Sequence, residues 1–417
     1  MSTVLLTDRY ELTMLDAALA SGLAERRAVF EVFARRLPPG RRFGVVAGQG
    51  RLATLLPQVR YAAGDLDALD FLRPQTRGWL DGRVLSVSVS AYAEGETYGP
   101  GSPVLTVEGS FGEALLLETL VLSVLNADTA IASAAARMVL AAGDRPLIDM
   151  GSRRTHEQAA VSAARAAYLA GFSYTSNLEA GRRHGVPTAG TSAHAFTLAF
   201  PTEAAAFAAQ VARLGPGTTL LVDTFDIDQG IRTAVQVAGT SLGAIRLDSG
   251  DPVREVGKAR ALLDELGATA TRIVVTGDLD EHRIARLSTE PVDSYGVGTA
   301  LVTGSGAPTA GFVYKLVAVA REDGPDAPLH PVAKTSLGKA TVGGRKWASR
   351  TEPDREVLRG HPGGPGRPLQ GPLPTHDDLA AARDTCAAAL AALPDTARRL
   401  DPGPAAWTAA PADGGDR

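Results

Sequence analysis

The chain has 417 residues, 45% hydrophobic and 21% charged, with a formal net charge of −4. That length and balance suit two or three domains with a large core, and exclude a general nucleic-acid or anionic-membrane binder, which needs a basic surface. A single cysteine, Cys386, excludes an intramolecular disulfide and a cysteine-based zinc cluster. The first segment, MSTVLLTDRYELTML, meets Asp8 and Glu11 too early for a secretory leader, so a cytoplasmic location is expected. Residues 1–125 mix short helices with strands such as GRVLSVSVSAYAEG between Gly/Pro turns, which predicts an α+β domain. No membrane span is expected within it, because even ALLLETLVLSVL carries Glu118.

From 126 to 310 the texture changes. Short apolar runs recur, each followed by a polar or glycine loop and an Ala-rich amphipathic helix. The clearest are PLIDMGSRR, VPTAGTSAH, TLLVDTFD, GAIRLDSGD, RIVVTGDLD and VDSYGVGT. Runs of this kind predict parallel βα units, whose loops gather on one face of a barrel or open sheet. Residues 311–360 carry a lysine-bearing segment expected to pack back on the first two regions. Only five of the 42 basic residues are lysine, and Lys315, Lys334, Lys339 and Lys346 fall within 32 residues. Either chance clusters them or that region needs compact ammonium donors. Residues 361–417 read as the linker HPGGPGRPLQGPLP, a helix DDLAAARDTCAAALAAL, and a mobile, dispensable polar tail.

The polar motifs after the apolar runs carry the chemistry, and each has two readings. RLDSGDP places Arg246, Asp248 and Asp251 at a strand end; it is either an anion and carboxylate site or a helix cap with Pro252 in the first turn. GSRRTHE sets Arg153 beside Arg154 before a helix, as an anion site or a solvated pair. TGDLDEH and YGVGT resemble backbone cradles for phosphate oxygens, with Gly277, Asp278, Gly296, Gly298 and Thr299 in them. GVGTAL lacks the third glycine of a dinucleotide fingerprint, and the histidine spacing gives no helical metal pair. His194, in GTSAHAF, follows glycine and small residues that leave its ring unshielded. It is a helix-start residue or a reactive imidazole.

Taken in order, TDRYELTML, FEVFARRLPPGRRFGVVAGQG, MGSRRTHEQAA, GFSYTSNLEAG, GTSAHAF, LVDTFDIDQGI, IRLDSGDP, TGDLDEHRI, YGVGTALVT and VYKLVAV resemble bacterial nicotinate phosphoribosyltransferases. The resemblance runs from about residue 4 to residue 347 and lies in the ensemble rather than in any one motif. It implies an α/β fold, an irregular α/β barrel packed against an α+β N-terminal domain with a small C-terminal extension. The implied reaction joins nicotinate to phosphoribosyl pyrophosphate, with Mg²⁺ carried by the phosphorylated substrates and ATP as co-substrate.

The same resemblance implies the site. His194 matches the phosphorylated histidine, and Asp223 and Asp248 match carboxylates near the ribose, metal or pyridine. Tyr10, Met150, Arg153, Ser176, Thr219 and Arg246 become candidates for the pyridine, and Arg35, Gly277, Asp278, Gly296, Gly298, Thr299 and the four clustered lysines for phosphates. Met150 stands where amide-using relatives have an aromatic, so sulfur–ring contact replaces stacking. A homodimer is implied, with Tyr10 reaching the neighbouring site. Nicotinamide-using relatives carry Asp at the position of Ser176. A carboxylate there would repel nicotinate by about 4 kcal/mol at ~4 Å and an effective dielectric of ~20. Ser176 therefore favours the acid. The competing readings are a nicotinamide phosphoribosyltransferase, a catalytically silent ligand-binding homologue, and a phosphate-binding barrel of other chemistry.

Overall fold

The computed structural model describes residues 4–324, 326–336 and 341–412. They fall into two compact units, one formed by residues 1–133 with 309–417 and the other by residues 134–308.

In the first unit Arg27–Ala34 lies inside a six-stranded sheet because RAVFEVFA is apolar or β-branched at nearly every position. The strand order is Leu329–Pro331, Phe312–Ala320, Arg27–Ala34, Leu105–Ser110, Ser88–Tyr92, Gln370–Pro372, with antiparallel pairing throughout. The segments set apart in the sequence at 311 and 361 thus complete the N-terminal sheet. Its core includes Leu15, Phe30, Val32, Tyr92, Leu105, Phe312 and Tyr314. A smaller sheet joins Arg367–Pro368, Trp347–Glu352, Arg355–Arg359 and Ala410–Pro411. The helix Leu379–Ala391 starts on an Asp378 cap and buries Leu379, Ala382, Cys386 and Leu390 along one face.

One expectation fails here. The tail is not loose in the described residues. Trp407 is 5% exposed, its indole donates to Glu356 Oε2 at 3.4 Å, and Leu393 and Ala397 are buried. Burying one indole and satisfying its N–H outweighs the low complexity of the flanking sequence. Phe111–Ala142 is long and apolar enough to cross a membrane by length and composition alone. Val121, Leu125, Ala132, Ala135 and Met138 on it are nonetheless buried inside the protein, so its apolarity has a packing explanation.

The second unit is a six-stranded, wholly parallel sheet. Its order is Tyr174–Thr175, Leu147–Asp149, Ser294–Val297, Arg272–Val275, Ala244–Leu247, Thr219–Leu221. Five of the six apolar runs form five of these strands, Tyr174–Thr175 being the sixth, and helices such as Ile227–Ala238 and Pro252–Glu265 connect them. The sixth run, VPTAGTSAH, differs: it contributes only a single parallel bridge, Thr188 to Thr175. Pro187 supplies no N–H, so only its carbonyl and the Ala189 N–H pair with Thr175. The edge strands share no ladder among the described residues, which leaves half of a barrel rather than a closed one.

Candidate active site

Because every strand of this sheet runs the same way, all its C-terminal ends point to one edge. Met150, Ser176, Asp223, Asp248, Gly277 and Gly298 each follow a different strand there. His194 reaches the same edge as the first residue of the short helix His194–Leu198.

The polar core of the site is a continuous chain of contacts. His194 Nε2 lies 3.1 Å from Asp223 Oδ1, with the imidazole 39% exposed and the carboxylate inaccessible. The other Asp223 oxygen accepts from the Asp248 amide at 2.8 Å and the Ser249 hydroxyl at 2.7 Å. Asp223 accepts on both oxygens, so the neutral imidazole carries its hydrogen on Nε2 and keeps the Nδ1 lone pair for chemistry. Arg246 is 7% exposed. Its Nε donates to Thr276 Oγ1 at 3.0 Å, and Nη1 donates to Thr191 Oγ1 at 2.8 Å and the Ser192 carbonyl at 3.0 Å. Nη2 pairs with Asp248 Oδ1 at 3.0 Å. Thr276 also donates to Asp248 Oδ1. Burial pushes the Asp248 carboxyl up, but the Thr276 hydrogen bond and the Arg246 charge outweigh it and hold it below the usual value.

Glycines let these loops approach. Gly277 has φ +95°, and a Cβ there would stand 2.3 Å from the Asp248 carbonyl oxygen. A Cβ on Gly296 would meet Thr276 Cγ2 at 2.6 Å and Met150 Sδ at 2.7 Å. Gly296 therefore makes room for the Met150 thioether, a packing reason the cradle reading did not contain. Asp278 adopts φ +49°, and its carbonyl accepts from Arg283. Thr299 opens a four-residue helix after Gly298. Arg153 and Ser176 are exposed, and Met150 is half-buried.

Not every candidate joins this edge. Thr219 begins its strand, four residues before Asp223, which places it about 13 Å away along the sheet. Its carbonyl accepts from Gln210 instead. The remaining candidates belong to the first unit. Tyr10 is 43% exposed, and burial with the nearby Glu118 and Glu11 charges pushes its phenol well up. Lys315 sits half-buried opposite Glu31 in the ladder, and Lys334 is exposed. Lys346 corrects the phosphate reading: its ammonium lies 2.7 Å from Glu31 Oε2 and donates to the Val342 and Gly344 carbonyls. A lysine spent on a fully buried carboxylate is a structural ion pair. Lys339 lies outside the described residues. Arg35 and Lys346 line a cavity of about 1050 Å³, which none of His194, Asp223, Asp248 or Arg246 lines.

Three participants escaped sequence reading. Thr191 and Thr276 hold Arg246, and Asp149 is 1% exposed under the Met150 loop. All three sat inside quoted motifs, but threonines are too common in loops to single out. Asp149 looked like a strand residue.

Loops that bring an accessible imidazole, a buried carboxylate and a held arginine to the C-terminal edge of a parallel sheet define an α/β enzyme. Comparison with known proteins narrows the class. Residues 5–126 match the model of the nicotinate phosphoribosyltransferase N-terminal domain, and residues 146–345 match that of the nicotinate phosphoribosyltransferase family. The chain is 58% identical to a nicotinate phosphoribosyltransferase of Mycobacterium tuberculosis, over 96% of its own length and 93% of that protein. It is 37% identical to that of Bacillus subtilis, covering 82% and 72% of the two chains. The crystal structure of human nicotinic acid phosphoribosyltransferase superposes with a TM-score of 0.80 at 26% identity, covering 98% of each chain. The chain belongs to the nicotinate phosphoribosyltransferase family.

Proposed function

We propose that this chain is a nicotinate phosphoribosyltransferase of NAD salvage, built on an irregular α/β barrel. It forms nicotinate mononucleotide and pyrophosphate, with ATP consumed through a phosphohistidine at His194. The observation that carries the reading is the contact chain from His194 through Asp223 and Asp248 to Arg246, in a chain so similar to enzymes of that name.

The chemistry follows from the groups present. Loss of pyrophosphate breaks the ribose C1–O bond and builds positive charge on the sugar, while the pyridine nitrogen forms the new C1–N bond. Negative charge collects on the leaving group; Asp223 and Asp248 are the carboxylates that would face a substrate-borne Mg²⁺, which would supply neutralising charge there. His194 Nδ1 attacks the γ-phosphorus of ATP, so the N–P bond forms as the bond to the β-phosphate oxygen breaks and ADP leaves. Asp223 holds the Nε2 hydrogen and balances the ring charge, and water later cleaves the N–P bond to release phosphate. Arg246 uses one N–H from Nε, two from Nη1 and one from Nη2, which leaves one of five for the nicotinate carboxylate. Ser176 offers a neutral donor at the same sheet edge, and Met150 its sulfur.

On the second unit, phosphate contacts fall to Gly277, Asp278, Gly298 and Thr299. On the first unit, the buried Arg35 Nε has no hydrogen-bond partner among the described residues and is free to meet an anion in the cavity it lines. Exposed Leu6, Tyr10 and Met14 on the N-terminal segment fit a homodimer in which Tyr10 serves the neighbouring site. A salvage enzyme of this kind works in the cytoplasm.

The test compares nicotinate and nicotinamide as acceptors from phosphoribosyl pyrophosphate, with and without ATP. The expected outcome is nicotinate mononucleotide, with ATP raising turnover or lowering KM. Preference for nicotinamide, or no transfer to either, overturns the assignment.

A further inference from the structure

Asp149 is a buried carboxylate that the transfer chemistry above does not use. It ends the Leu147–Asp149 strand, and burial raises its pKa against two hydrogen bonds that lower it. Oδ2 accepts from Thr175 Oγ1 at 2.7 Å, and Oδ1 accepts from the Gly151 amide at 2.8 Å. Its main-chain carbonyl accepts from the Ser176 amide at 2.8 Å. One residue thus fastens the loop that carries Met150 and Arg153 to the loop that carries Ser176.

A second bridge runs parallel to the first. Thr175 Oγ1 accepts from the Asn177 amide at 3.0 Å, and the Asn177 side chain donates to Ser152 Oγ at 3.1 Å. The same side chain caps the following helix through the Ala180 amide at 2.9 Å. Gly151, Asp149, Thr175, Asn177 and Ser152 therefore form a closed polar loop. A single cross-strand bond would only hold the sheet together, and the ladder pairing Ile148 with Tyr174 and Asp149 with Thr175 already does that. The closed loop fixes the spacing between two segments past the point where that ladder stops.

We propose that Asp149 and Thr175, supported by the Asn177–Ser152 bridge, are positioning residues for recognition of the pyridine carboxylate. They set the separation of the Met150 and Ser176 loops, and with it the preference for the acid over the amide. This rests on the nicotinate reading above. A rigid spacing matters because a displacement of about 1 Å at a binding group costs about a hundredfold in productive geometry.

The experiment measures kcat, KM for each substrate and the nicotinate-to-nicotinamide ratio of kcat/KM in the full-length enzyme. Thr175→Val removes the hydroxyl at nearly constant volume, Ser152→Ala removes the second bridge, and Asp149→Asn removes the carboxylate. Thr175→Val and Asp149→Asn are expected to raise KM for nicotinate about tenfold or more and to lower the selectivity ratio by a similar factor. KM for phosphoribosyl pyrophosphate should stay within about twofold, Ser152→Ala should show a smaller shift of the same kind, and Thr175→Ser should restore wild-type values. If Asp149→Asn does not fold, the threonine and serine variants carry the test alone. An unchanged ratio in Thr175→Val, or equal increases in both KM values, overturns the proposal. Wild-type enzyme that fails to use nicotinate overturns the underlying assignment instead.

Discussion

Arg246 and Lys346 were both read from the sequence as cations for substrate, and their surroundings separate them. Arg246 keeps one N–H at the sheet edge, whereas the Lys346 ammonium is engaged by Glu31 and two carbonyls. A lysine cluster in sequence therefore has two explanations, and only burial of the partner distinguishes them. Asp223 and Asp248 were legible because each follows an apolar run whose strand direction brings such positions together, whereas Arg246 lies within the strand Ala244–Leu247 and His194 starts the short helix His194–Leu198. Thr276 was not legible, since its value lies in bridging two strands that sequence does not reveal as neighbours. Asp248 gives a pH prediction. Its carboxyl is held below the ordinary 3.8, so its stabilising contribution is full above that value and lost as pH falls through the lower folded value. The melting-temperature gap between wild type and Asp248→Asn should accordingly narrow as pH drops from about 6 to about 3. A gap that widens on acidification would mean that burial, not Arg246 and Thr276, governs this group.

At the level of elements, the parallel strands were legible because runs such as TLLV and RIVV are buried on both faces and too short for helices. The edge segment VPTAGTSAH was misread, because an apolar run cannot show that proline and glycine will limit it to one bridge. Gly277 and Gly296, expected as phosphate cradles, also permit close contact between loops. Gly277 shows this most sharply, with a left-handed φ and the Asp248 carbonyl where a Cβ would go. Gly277→Ala should destabilise the protein by about 1–3 kcal/mol and displace Asp248. Denaturant unfolding checks the first effect and turnover the second. An alanine variant with wild-type stability would show that the loop has room to spare.

Across the whole molecule, residues 1–133 and 309–417 make one unit while the chain between them makes the other. Composition placed a boundary near 310 but could not show that Phe312–Ala320 returns to pair with Arg27–Ala34, since strand partners far apart in sequence leave no local mark. The C-terminal residues were undervalued for a related reason. Pro/Ala/Gly-rich sequence resembles a loose tail until one aromatic finds a pocket, and a Cβ on Gly99 would stand 2.6 Å from the Trp407 carbonyl oxygen. Trp407→Ala should cost about 3–5 kcal/mol. A melting temperature unchanged by that substitution, or by truncation at residue 392, would return the segment to the status of a tail.

The proposed phosphoryl transfer to His194 is the step that would separate this site from a passive nicotinate pocket. Incubation of the full-length enzyme with γ-labelled ATP, followed by acid and base treatment, measures it directly. Label that is acid-labile and base-stable, maps to His194 and disappears in His194→Ala supports the assignment, the more so if ATP no longer stimulates nicotinate mononucleotide formation by the variant. Label that persists in His194→Ala, or undiminished ATP stimulation without it, would show that the imidazole on Asp223 is not the acceptor.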